Sequence, residues 1–342
     1  MKQGKLLWIS LGIWVVITAC MAGGMLYYTN YYVVVQEKGL LLSEDSQSLE
    51  KIREGIREEN FAVFPMEKGE FGDTVCKLPL PEGVTEDAIQ MENDYLHQCI
   101  YLYIRSDEDA FYADKQFKGT PELVRNAYYV REQGMDIFLF SLKKIKECHY
   151  YIEDGQICFE LENMHHYYDK VIAVDLEKEG AFLVESFFGA LSEANQNPQV
   201  KLIYIDRNKK DFTPAQLHLL LKECEADYYL EFLIGMEPDE ETGMRAYYQK
   251  YFYQNEIGSV ELADAALREV VSSVGGQADG LYPAGEDRQE LLQAGIPAVA
   301  LYLGSYSDPV ENEMLQSELF ADKMAQGVSN MIDILIADKL TK

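Results

Sequence analysis

The stretch Lys170-Val171-Ile172-Ala173-Val174-Asp175 decides the fold: it is an apolar strand that ends in an acid. Reading outward from it, residues 184–194 have helical spacing, 200–205 form a second apolar strand, and 214–224 form a helix with Pro214 in its first turn. Residues 227–234 and 244–253 read as further strands, the latter rich in tyrosine. A helix follows over 259–274, closed by Gly275-Gly276, then a strand over 296–303 and a long amphipathic helix over 319–337. Strands alternating with helices predict an α/β domain with a mostly parallel twisted sheet and flanking helices over residues 168–340. In such sheets ligands bind at the carboxyl ends of the strands.

The chain has 342 residues, with 30 Lys+Arg against 58 Asp+Glu and a net charge of −28. Length alone predicts about two domains. The 48% apolar content supports a real core and excludes wholesale disorder. The acidity argues against nucleic acid as a partner, because phosphate backbones are bound by clustered Lys and Arg. It argues equally against a polybasic lipid-binding surface.

The N-terminus reads as a membrane anchor. Residues 1–5, with Lys2 and Lys5, form a short cytoplasmic tail. Residues 6–28 then run 23 positions without a charge. At ~1.5 Å per residue that is about 34 Å of helix, enough to cross a ~30 Å hydrocarbon layer. Tyr27, Tyr28, Tyr31 and Tyr32 suit the outer interface, and the two lysines place the remaining chain outside the cytoplasm. The expected location is therefore the cell membrane, single-pass, with the C-terminal domains extracytoplasmic. The alternative is a lipoprotein: Ile17-Thr18-Ala19-Cys20 has the look of a lipobox, with Cys20 as the lipidated residue. Residues 29–60 form a juxtamembrane stalk, in which Leu49, Ile52 and Ile56 make a narrow apolar stripe at helical spacing.

Residues 61–166 read as a small β-rich domain. Strands are expected over 99–104 and 136–140, with a helix near 121–130. Asp154-Gly155 is a two-residue hairpin turn, which sets Cys158 opposite Tyr151 and Cys148 opposite Leu161. Cys148 and Cys158 then face opposite ways, so they make a poor disulfide. Buried free thiols are expected, and without a C-x-x-C pair no cysteine zinc knuckle is expected.

The end of the chain carries a resemblance. Ile296-Pro297-Ala298-Val299-Ala300-Leu301-Tyr302-Leu303-Gly304-Ser305-Tyr306-Ser307-Asp308, with the helix after it, resembles the close of a zinc-dependent N-acetylmuramoyl-L-alanine amidase domain, whose last strand reads roughly P-A-V-L-V-E-x-G-F-x-S-N. Ala226-Asp227-Tyr228-Tyr229-Leu230-Glu231-Phe232-Leu233-Ile234-Gly235 resembles the family's A-D-x-x-x-S-I-H-A-N strand. Gly243-Met244-Arg245-Ala246-Tyr247-Tyr248 resembles its G-x-E-V-Y-Y strand. Asp175-Leu176-Glu177-Lys178-Glu179-Gly180 falls where the family has D-P-G-H-G-G. Order and spacing agree over about half the chain.

The family cleaves the bond between the lactyl group of muramic acid and L-alanine in peptidoglycan. It holds zinc with His, Glu and His and uses a catalytic Glu at the end of the last strand. Zinc hydrolysis needs about three donors and an open position for water. By the resemblance, the ligand positions here are Lys178, Glu185 and Leu233, and the catalytic position is Tyr302. A protonated ammonium does not ligate zinc, and leucine has no donor atom. The resemblance therefore implies no catalytic residue and no metal, with zinc, the family's cofactor, expected to be lost. Lys178, Glu185, Glu231 and Tyr302 are the expected residues of a degenerate binding groove. Lys178 paired with Glu185 is the simplest replacement for the metal; Glu177, Glu179, Glu185 and Glu231 otherwise form an acidic rim. His218 is expected to pack within a helix, and His165 and His166 lie at the far end of the sheet. No G-x-S-x-G elbow or phosphate-binding G-x-x-x-x-G-K-[ST] loop is present, and no histidine is placed to activate Ser305.

The resemblance thus implies a membrane-anchored extracytoplasmic protein that acts in peptidoglycan binding or in regulating cell-wall turnover. Its expected partners are peptidoglycan or cell-wall machinery, and the membrane through the N-terminal helix. Two other readings stand at this stage: an active peptidoglycan amidase with unrecognised metal ligands, and a structural module of an envelope complex with residues 246–253 as contact surface.

Overall fold

A computed structural model describes residues 61–69, 75–208, 210–236, 243–251, 257–317 and 319–337. The expected tail, anchor and stalk lie outside them. Among the described residues no helix is long and apolar enough to cross a membrane.

The first ten strands are β1 (Ala62–Phe64), β2 (Met66–Lys68), β3 (Val75–Pro79), β4 (Ile89–Asp94), β5 (Cys99–Arg105), β6 (Phe117–Gly119), β7 (Val124–Glu132), β8 (Met135–Leu142), β9 (Glu147–Glu153) and β10 (Gln156–Glu162). They form two five-stranded sheets, ordered β1-β7-β8-β5-β4 and β2-β6-β3-β10-β9. The sheets share one core, in which Phe64, Leu102, Phe138 and Phe140 of the first meet Cys76, Leu78, Phe117 and Phe159 of the second. Aromatic edges dominate it: Phe64 meets Phe138 at 5.1 Å and 78°, a favoured T-shaped geometry.

The helix expected near 121–130 is a strand, β7. Tyr128, Tyr129 and Val130 are poor helix residues but good sheet residues. Gln133 and Gly134 both take positive φ, 49° and 78°, and turn the chain straight back into β8. The hairpin at Asp154-Gly155 (φ 50° and 71°) forms in the expected register, with Cys158 beside Tyr151 and Cys148 beside Leu161. Cys76, Cys99, Cys148, Cys158 and Cys224 are all buried free thiols.

Beyond them come α1 (Met164–Tyr167), β11 (Lys170–Leu176), α2 (Val184–Ala194), β12 (Val200–Asp206), α3 (Pro214–Glu223), β13 (Tyr228–Gly235), β14 (Met244–Tyr248), α4 (Ser259–Val274), β15 (Ala278–Pro283), α5 (Gln289–Gln293), β16 (Ala298–Ser305), α6 (Pro309–Leu315) and α7 (Phe320–Ala337). The six strands order as β12-β11-β13-β16-β14-β15. All neighbours are parallel except β14, which runs antiparallel to β16. Side chains alternate across each strand, so the sheet buries two apolar faces. Ile172, Val174, Leu230, Phe232, Val299 and Leu301 pack under α2, α4 and α7. Val171, Ala173, Tyr229, Leu233, Ala300 and Tyr302 pack under α3 and α5.

The helix ends follow local chemistry. Thr213 caps α3 in a box with Gln216, and Pro214 fills its first turn. Gly275 closes α4 at φ 81°. The strand expected over 244–253 is shorter, ending at Tyr248, and β15 and α5 lie in a region that carries no clear periodicity.

Candidate functional site

Asp175 and Glu231 are lateral neighbours in the parallel register of β11 and β13, and both project to the α3/α5 face near the strands' carboxyl ends. Two carboxylates side by side in a buried sheet repel. The chain answers with Arg207, one residue beyond β12. Its Nε donates to both carboxylate oxygens of Asp175 at 3.0 and 2.8 Å, and its Nη2 lies 2.6 Å from Oδ2. The same Nη2 lies 3.9 Å from Glu231 Oε1. Nη1 donates to the Phe212 carbonyl at 3.2 Å, which closes the loop between β12 and α3 over the charges. Tyr229, two residues before Glu231 on the same face, donates its hydroxyl to Asp175 Oδ2 at 2.6 Å.

Asp175, Tyr229, Glu231 and Arg207 are all buried. Burial, and next the charge of Asp175, pushes the Glu231 carboxyl up to about 8. Burial also lifts Asp175, against the pull of Arg207 and Tyr229. Burial thus works against ionisation of both carboxyls, and Arg207 and Tyr229 favour the charged form at Asp175. Glu177 on the exit of β11 and Glu290 on α5 add to the electrostatic load on Glu231.

The other expected residues are placed as follows. Lys178 is exposed and its ammonium pairs with Asp211, in the same loop that carries Arg207. It does not pair with Glu185, which is exposed in the first turn of α2. Leu233 is 2% exposed and packs in the core under α3 and α5. Tyr302 lies beside it in register, also buried. Its ring carries the Arg245 guanidinium, with Cζ 4.4 Å from the ring centre. Arg245 reaches Asp279 at 3.7 Å. A Cβ at Gly235 would lie 2.3 Å from the Tyr302 hydroxyl, so the glycine makes room for it. The structure therefore joins Glu231 to Asp175 and Arg207, puts Lys178 on the rim of the same loop, and sets Tyr302 with Arg245. Glu185 stands apart.

Sequence reasoning missed Arg207, Tyr229 and Arg245. The signal for Arg207 was present: Asp206-Arg207 follows the apolar run 202–205, where a charge at a strand end faces the ligand side of the sheet. Of the histidines, His218 on α3 bonds the Ala294 carbonyl at 3.1 Å through Nδ1. His165 and His166 sit in the short helix α1, where His165 Nε2 is 3.7 Å from Asp227.

The donors at the positions the resemblance points to do not fit zinc: one is an ammonium on a carboxylate, one a buried hydrocarbon, and one an isolated exposed carboxylate. What the cluster offers is hydrogen bonding and charge.

No family model matches the chain, and no curated protein matches its sequence. Solved structures do. The catalytic domain of CwlV, an N-acetylmuramoyl-L-alanine amidase from Bacillus (Paenibacillus) polymyxa var. colistinus, aligns at 18% identity with a TM-score of 0.42, over 49% of this chain and 98% of that one. An N-acetylmuramoyl-L-alanine amidase from Clostridium difficile 630 aligns at 15% identity and 0.42, over 50% and 98%. The CwlD amidase of Clostridioides difficile, solved in complex with the GerS lipoprotein, aligns at 18% and 0.37, over 49% and 99%.

Proposed function

We propose that this is a membrane-anchored extracytoplasmic protein whose α/β half binds peptidoglycan without cleaving it, and so acts in wall binding or in the control of wall turnover. The observation that carries the reading is the packing of Leu233 and Tyr302. Both stand where the resemblance calls for a metal ligand and a catalytic carboxylate, and both are buried side chains that complete an apolar core. A site kept for hydrolysis would not give those positions to packing. The strand ends around them keep polar groups suited to a sugar or peptide: the Lys178–Asp211 pair and the Arg207 loop. No metal or cofactor is assigned.

Sedimentation of the full chain with purified cell wall, run beside an assay for released stem peptide with and without added zinc, tests this. Co-sedimentation without release is expected, and Lys178→Glu is expected to weaken it by about tenfold, the size of ~1.4 kcal/mol. Zinc-dependent release would overturn the non-catalytic reading. Failure to sediment would overturn the binding reading.

A further inference from the structure

On the opposite face of the same sheet end lies a cleft of about 460 Å³ that the peptidoglycan reading does not use. That volume is within the range of small-molecule sites. Its apolar floor is Met244 of β14, Leu303 of β16 and Met314 of α6. Glycines keep it open. A Cβ at Gly276 would stand 3.1 Å from the Met244 methyl and 3.6 Å from the Met314 sulfur, filling the space between them. Gly243 has φ 103°, and a Cβ there would meet the Gln277 carbonyl at 2.9 Å.

Two carboxylates stand over this floor, both fixed by backbone donors. Glu311 Oε1 accepts from Gly243 N at 2.6 Å and Oε2 from Ser305 N at 2.7 Å. Asp308 Oδ1 accepts from Val310 N and Glu311 N at 2.8 and 2.9 Å. Among the described residues neither forms an ion pair with a Lys, Arg or His side chain.

We propose that this cleft binds an aliphatic primary ammonium: a cationic head on a hydrocarbon stem. The preset carboxylates would take the head in charge-assisted hydrogen bonds. The methionine floor, soft and adaptable, would take the stem. A bare divalent cation fits poorly, because the floor is apolar and hard cations need six to eight oxygens. The inference stands on this cleft alone and does not depend on the proposed wall binding.

The test uses the full chain labelled with carbon-13 at the methionine methyls. The Met244 and Met314 signals are assigned by substituting each with Leu, and the probes are n-pentylammonium, n-pentanol and the tripeptide amide acetyl-Gly-Lys-Gly. Saturable shifts of both signals by n-pentylammonium, absent with n-pentanol, are expected. Val310→Arg, at a rim position that is 77% exposed, should weaken them at least tenfold while leaving the other methionine signals in place. Shifts with the tripeptide as well would identify a lysine side chain as the source, and shifts with the free amine alone a small-molecule amine. No shift at either methionine up to ~50 mM probe, or equal shifts with n-pentanol, would overturn the proposal.

Discussion

At the scale of single residues, the site turns on how one buried arginine is shared. Asp175 takes the Nε/Nη2 edge of Arg207 and the hydroxyl of Tyr229, which leaves Glu231 with a contact of only 3.9 Å. The consequence is a proton. Glu231 rises from 4.5 to about 8 because burial, and next the charge of Asp175, disfavour its ionised form. Between those two values the folded chain holds a proton that the unfolded chain has released. Stability therefore falls as pH rises through that window, by at most about 1.4 kcal/mol per pH unit. Glu231→Gln removes the titration and keeps the shape. Urea midpoints measured from pH 5 to 8 should show the variant gaining on the parent as pH rises. A constant difference across the window would show that Glu231 is already ionised in the fold.

At the scale of elements, helix α7 is laid against α4 so closely that one position admits no side chain. A Cβ at Gly327 would stand 2.7 Å from the Val270 Cα and 2.9 Å from the Glu269 carbonyl. Both are backbone atoms that cannot swing aside. Glycine in a helix costs about 1 kcal/mol against alanine, yet here Gly327→Ala should destabilise by about 1–3 kcal/mol, because the helices must part. A variant as stable as the parent in urea would disprove that close crossing. The helical pattern of 319–337 was plain in the sequence; the demand for glycine within it was not, since that is set by a partner far along the chain. The same contrast runs through the fold. Helix 259–274 and the strands at 170–175 and 200–205 stand within a residue of their expected bounds, because continuous apolar periodicity and caps fix them locally. Residues 121–130 misled because β7 owes its form to pairing with β8. At the site, Lys178 and Leu233 could be named from sequence, but Arg207 and Arg245 take their meaning from neighbours on other strands. The partner of Lys178, in turn, is Asp211 on the next loop and not Glu185 on the next helix turn.

At the scale of the whole molecule, two bodies with cores of their own meet around one buried carboxylate. Glu147 on β9 is 2% exposed. It accepts from the Tyr95 hydroxyl at 2.5 Å, the Tyr168 hydroxyl at 2.9 Å and the Lys201 ammonium at 3.0 Å. Burial, and next Glu147 itself, pushes both phenols up, so they stay protonated donors. Lys201 also lies over the Tyr95 and Tyr168 rings at 5.1 and 5.2 Å. Further polar ties among the described residues include Gln98 to Glu223 at 2.6 Å and Lys210 to the Leu96 carbonyl at 2.8 Å. The second of these braces the loop that carries Arg207 and Asp211, so the sandwich bears directly on the groove. Lys201→Met keeps the stem and removes the charge, leaving a buried anion with two hydroxyls and the largely exposed His149 imidazole, whose Nε2 is 3.4 Å away. Breaking a buried pair costs about 3–5 kcal/mol, and partial exposure of Lys201 brings the expected loss nearer to ~2. Because the loss falls at the junction and not in either core, scanning calorimetry should show the parent's transition split in two, with the α/β half and the sandwich melting separately. A single transition merely shifted to lower temperature would mean that Ile145, Leu96 and Phe212 hold the halves together through apolar contact, with the hub secondary to them.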